Sequence, residues 1–114
     1  MKIEEYVIAY LGSVLDVPVS GDVPEMDTLD AFVTVEKTGS NNSRHIRAAT
    51  IAVQSWAGSR AAAATLNETV IYAMAGIMEK QEICRADLNT DYNYPDLTRN
   101  KPRYQAVFEI TYYA

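Results

Sequence analysis

The chain has 114 residues, 48% of them apolar and 22% charged, with a formal net charge of −5 and a pI near 4.7. That length sets one domain with one core, residues 1–114, and the composition excludes a disordered chain. The acidic balance argues against a protein that works by neutralising phosphates. The single cysteine excludes an internal disulfide and a cysteine-based zinc cluster, the single histidine excludes a histidine-rich metal site, and no apolar run approaches the roughly 20 residues of a membrane span.

Ile3, Tyr6, Val7, Tyr10, Leu11 and Val14 recur at helical spacing, which predicts an amphipathic helix over residues 3–15. Glu4 and Glu5 fall in its first turn, where the helix dipole favours anions. They also stand where an export signal carries positive charge, so the expectation is folding in the cytoplasm of whichever cell makes the chain. Val17-Pro-Val-Ser20 suits a brief edge strand, since proline cannot donate to a ladder. Residues 21–30 are turn-rich and acidic and read as a surface loop.

Residues 31–37 form a strand by composition, with Phe32, Thr34 and Glu36 on one face and Val33 and Val35 on the other. Thr38-Gly-Ser-Asn-Asn-Ser43 is too polar for a core and reads as a hairpin loop. A second strand follows over residues 47–56, with Ile51 and Val53 alternating against Ala52, Gln54 and Trp56. Residues 57–80 carry the strongest helix signal: Ser59 as cap, four alanines at 61–64, and an apolar stripe of Leu66, Val70, Ala73, Met74 and Ile77. Gly76 is a weak point in that helix, and Ala63 is small enough for close approach to a sheet.

After Lys80 the period becomes two, placing Cys84, Ala86, Leu88, Thr90 and Tyr92 on one face of a half-buried strand. Residues 93–103 carry two prolines and form a loop; residues 104–113 are the last strand, with Tyr112 and Tyr113 on opposite faces. The element order predicts an α+β fold, a two-layer sandwich with a mainly antiparallel sheet of about four strands and two helices on one face. The other face is left to a partner or to solvent.

Few residues point to chemistry. Asp87-x-Asn89-x-Asp91-x-Asn93 begins like a calcium loop but has Tyr92 where the loop needs glycine and Thr98 where it needs glutamate, so a polar strand face explains it better. His45 has no sequence-adjacent nucleophile or orienting acid and reads as a surface residue. Cys84 reads as a buried structural thiol. Asp27 and Asp30 lie in a loop and do not make a catalytic pair. Glycine-rich phosphate loops are absent from the sequence. The chain is therefore expected to be no enzyme, with no catalytic residue, metal or cofactor. Two basic groups stand out: Arg44, His45 and Arg47, and then Arg99, Lys101 and Arg103, the second interleaved with Tyr94 and Tyr104. Arginine among aromatics is the composition of interface anchors. Tyr94, Arg99, Arg103, Tyr104 and Tyr113 are the candidate contacts with a partner or a second copy.

Two segments carry a family resemblance. Residues 51–66 run as a strand ending in Val-Gln-Ser-Trp-Ala, then Ser-Arg, then an alanine-rich stretch opening a long helix. Tyr94-Pro-Asp96 is followed by Pro102-Arg-Tyr-Gln105 and a closing strand. With the amino-terminal helix, Val17-Pro-Val-Ser20 and Phe32-Val-Thr-Val-Glu36, the chain resembles the small tail-terminator proteins, also called tail-completion or head–tail joining proteins, of long-tailed bacteriophages and prophages. The resemblance spans residues 11–112, with Trp56, Arg60, Arg103 and Tyr104 matching the pattern and residues 40–47 departing from it. It implies a virion structural protein of the tail that forms a ring, usually hexameric, capping the tail tube and meeting a head-closure or connector protein. DNA would pass through such a ring without specific binding, and no membrane is involved. A neck or head-closure adaptor, or a small ligand-binding or enzymatic α+β domain, is the alternative.

Overall fold

Two helices cover one face of a five-stranded sheet in the computed structural model, which describes residues 1–24, 30–42 and 45–113. In chain order these are α1 (Ile3–Val14), β1 (Val19–Ser20), β2 (Phe32–Asn42), β3 (Ile46–Trp56), α2 (Arg60–Ala75) with a 3-10 turn over Gly76–Glu79, β4 (Ile83–Asn93) and β5 (Arg103–Tyr113). The sheet order is β1-β2-β3-β5-β4, with β1 parallel to β2 and every other pair antiparallel. The α+β sandwich expected from the sequence is therefore the fold. The sheet has five strands rather than about four, because the short Val19–Ser20 segment joins it. Pro18, just before β1, contributes only its carbonyl, which accepts from Val33 N–H at 2.9 Å.

One core lies between the layers. Ile3, Val7 and Leu11 of α1 and Val70 and Met74 of α2 are buried against Val33 and Val35, Ile51 and Val53, and Phe108 and Ile110. Val14, expected on the apolar stripe, is exposed: the helix stops there, Leu15 turns to extended backbone, and Leu15 packs on the core instead. The two helices are tied at one point. Tyr10 Oη donates to the carbonyl of Ala73 at 2.7 Å, and a Cβ placed on Gly76 would stand 2.7 Å from that hydroxyl. Gly76, read as a weak point, makes room for the Tyr10 contact, and the α-helix gives way there to the 3-10 turn. Ser59 caps α2 as expected, its hydroxyl accepting from Ala62 N–H at 3.1 Å. Ala57 precedes that cap, so α2 is shorter at both ends than the predicted 57–80.

Two strands differ from expectation. Residues 38–42, expected in a hairpin loop, continue β2, which pairs as far as Asn42 opposite Arg47 through an irregularity between Lys37 and Gly39. Their polarity reflects the lack of a core around this end of the hairpin, where the ladder alone satisfies the backbone. In β4, register shifts between Ile83 and Arg85 and between Leu88 and Thr90 break the period of two. Ala86 and Leu88 therefore sit opposite Ile110 and Phe108 on the helix side, whereas Thr90 and Tyr92 sit opposite Val107 and Gln105 on the other side. Cys84, expected to be buried, lies at the first shift and is exposed. The alternation predicted for β5 holds, with Ala106, Phe108, Ile110 and Tyr112 buried and Tyr113 exposed.

Candidate functional site

The sheet face that carries no helix holds a polar and aromatic cluster built from four strands. Its backbone is a chain of side-chain hydrogen bonds running across the strands. Trp56 Nε1–H donates to Thr34 Oγ1 at 3.0 Å, and the Thr34 hydroxyl donates to Gln54 Oε1 at 2.7 Å. Gln54 Nε2–H donates to Gln105 Oε1 at 2.5 Å, and Gln105 Nε2–H donates to Tyr92 Oη at 2.5 Å. Antiparallel pairing puts these residues side by side: Thr34 opposite Gln54, Gln54 opposite Gln105, and Gln105 opposite Tyr92. Each hydrogen bond fixes the orientation of the next amide, so the row is held as a unit.

At one end of the row Trp56, 1% exposed, stacks on Phe32 with ring centroids 5.3 Å apart. Arg103 lies over the indole, its guanidinium carbon 4.7 Å from the Trp56 ring centroid and 4.2 Å from that of Tyr94. Its Nε–H donates to the Tyr94 carbonyl at 2.7 Å. Tyr94 in turn meets Tyr92 edge to face at 5.8 Å, and Lys101 Nζ lies 5.4 Å from the Phe32 ring centroid. Tryptophan is buried here without a helix above it because Arg103 of β5 closes over its ring, while Lys101 of the 94–102 loop lies over its stacking partner Phe32.

The 94–102 loop owes its shape to Asp96. Its carboxylate accepts from the backbone N–H groups of Thr98 and Arg99 and pairs with Arg99 Nη1 at 2.6 Å, while its backbone pairs with Lys101 in both directions at 3.0 Å. Hydrogen bonding from Arg99, side chain first and then backbone, holds the Asp96 pKa below its usual 3.8. Asn100 takes the left-handed conformation, φ 52°, that closes the turn. The tip of this braced loop is Leu97, 86% exposed.

Beside the stack lies a cleft of about 630 Å³. Thr34, Gln54, Gln105 and Trp56 line it, together with Arg99, Arg103 and Tyr94 from the loop side. Gly21, Asp22 and Val23, from the segment after β1, and Glu36 and Thr38, further along β2, complete the lining. The arrangement offers stacking surfaces, amide donors and acceptors, and charges of both signs.

Of the sequence candidates, the structure brings Tyr94, Arg99 and Arg103 together at this cleft. Tyr104 alternates to the helix side, opposite Ser55 and Asn93, and Tyr113 lies at the far end of β5 opposite Ile46. His45 is exposed immediately before β3; Arg44 and Asp27 lie outside the described residues. Asp87 and Asp91 point from opposite faces of β4, as their pairing with Glu109 and Ala106 requires, so they do not converge as a calcium site would demand. Sequence reasoning missed Thr34, Gln54 and Gln105. Their signal was a threonine and two glutamines at interior positions of strands otherwise rich in apolar residues, Thr34 and Gln54 on the side away from Val33, Val35 and Val53.

No helix of the described chain is long and apolar enough to cross a membrane. A scan of the sequence against models of known protein families finds no match, and a search of curated proteins finds no relative of significant similarity.

Proposed function

We propose that the chain is a non-enzymatic structural protein of a phage tail, a terminator that assembles as a ring on the end of the tail tube and joins it to a head-closure or connector protein. The reading rests on the resemblance carried by residues 51–66 and by Tyr94–Gln105. It is supported by one structural observation: both helices lie on one face of the sheet, while the other presents a braced arginine–aromatic cluster and an exposed leucine on a stiffened loop. Rigid, pre-ordered aromatic and arginine side chains are what a recurring protein–protein contact uses, because little freedom is lost on docking. A ring also needs two different patches per subunit, one to meet the other on its neighbour. This domain presents the cluster on one side and Tyr72, 86% exposed on α2, on the other.

The test is electron microscopy of purified tail tubes mixed with the protein. Rings seated on tube ends are the expected result, with Arg103→Glu folded by circular dichroism yet unable to seat. Tubes that stay bare at excess protein overturn the reading. The cleft favours a second reading, a ligand-binding α+β domain, and the next inference concerns that cleft whichever reading holds.

A further inference from the structure

We propose that the cleft on the helix-free face docks an extended segment of a partner polypeptide, whose carboxylate side chain is held by Arg103. Three features carry this. First, Arg103 is fixed but electrically unanswered. Its guanidinium lies against the rings of both Trp56 and Tyr94 and its Nε–H is bonded to the Tyr94 carbonyl, yet among the described residues the ion pairs are Lys2–Glu5, Arg85–Asp87 and Arg99–Asp96, and none includes Arg103. A guanidinium held in one orientation with its two terminal nitrogens unpaired is a ready fork for a carboxylate.

Second, the floor is written in amides. Gln54, 7% exposed, and Gln105 each use one N–H and the carbonyl oxygen in the cross-strand row, which leaves each a second N–H and a spare lone pair on oxygen. A peptide backbone is the ligand that answers alternating amide donors and acceptors.

Third, the charges are spread along the strand direction. Arg103 pairs with Trp56, which pairs with Phe32, and Glu36 stands four residues further along β2. At the rise of a β-strand that is about 13 Å. Asp22 lines the cleft as well. The complementary ligand bears an acid at one end and, if extended, a base about four residues away. The acids at the far end, and the overall charge of −5, disfavour a phosphate or a nucleic-acid strand.

The probe is a capped peptide, Glu-Thr-Val-Thr-Lys, titrated against the whole chain. Trp56, the only tryptophan in the sequence, reports by fluorescence, and the side-chain N–H signals of Trp56 and Arg103 report by NMR. Saturable shifts at both residues are expected, weakened about tenfold when the peptide's glutamate becomes glutamine or when Arg103 becomes lysine, which keeps the charge and loses the fork. Glu36→Gln, an exposed change with no bearing on folding, should weaken the same peptide while leaving a variant peptide without the lysine unaffected. No saturable shift overturns the proposal, as does equal binding by Arg103→Gln. Inorganic phosphate binding as well as the peptide overturns it in favour of a simple oxyanion site. The same shifts on raising protein concentration alone overturn it in favour of a second copy of this chain.

Discussion

The hydroxyl of Tyr10 fills the space that a side chain on residue 76 would need, and donates to the carbonyl three residues before it. Replacing glycine by alanine within a helix ordinarily gains up to about 1 kcal/mol. Gly12, inside α1 with nothing within 4 Å of a built Cβ, should show that gain as Gly12→Ala. Gly76→Ala should not, because Tyr10 must shift and give up its hydrogen bond. In a Tyr10→Phe background the penalty at residue 76 should shrink, and urea unfolding of the four combinations measures the coupling. Additive effects at Tyr10 and Gly76 would show that the contact does not constrain the helix end.

The cross-strand hydrogen-bond row should be costly to interrupt in its middle. Thr34→Val keeps the shape but leaves the Trp56 indole N–H and Gln54 Oε1 without their partner, a loss of about 1–3 kcal/mol. Trp56→Ala should lose about 3–5 kcal/mol, since the ring is buried on Phe32 and under Arg103. Chemical denaturation followed by circular dichroism checks both. Wild-type stability for Trp56→Ala would move the tryptophan from the fold to the surface.

Asp96 should make the 94–102 loop acid-sensitive. Its folded-state pKa lies below the usual 3.8, so ionisation favours the folded form. That contribution is complete above the unfolded value and is lost as pH falls from there through the folded value. The stability gap between wild type and Asp96→Asn should therefore be constant near neutrality and close below pH 3.8. A gap unchanged down to the acid limit would mean that the Arg99 pairing contributes nothing to the fold.

Cys84 should react in the native state. It is exposed at the first irregularity of β4, and its contact with the Tyr113 hydroxyl, by hydrogen bond and then by charge, raises the tyrosine pKa above 10.0. Ellman's reagent should titrate one thiol per chain without denaturant. A thiol that appears only on unfolding would return Cys84 to the core.

The layered fold and most strand faces could be read from residue order, because burial on one side imposes a period that survives in the sequence. Ile3, Val7 and Leu11, or Ile51 against Gln54, carry that period plainly. What escaped reading has physical causes of its own. A bulge leaves no mark in composition, so Cys84 and the second half of β4 were put on the wrong face. The polar end of β2 is a strand held by its ladder alone, with no apolar residue to announce it. Arg99, Arg103 and Tyr94 were legible as a basic and aromatic cluster. Thr34, Gln54 and Gln105 come from three separate strands and become one row only through register, which pairing decides and spacing does not.

The irregular outer strand has a wider consequence. An eleven-residue edge such as β4 would ordinarily invite copies to stack into fibrils by adding strand to strand. Here two interruptions in the pleat and the Arg85–Asp87 charge pair spoil the template. Many such molecules can crowd at one spot without congealing, and recognition is left to the faces and the 94–102 loop.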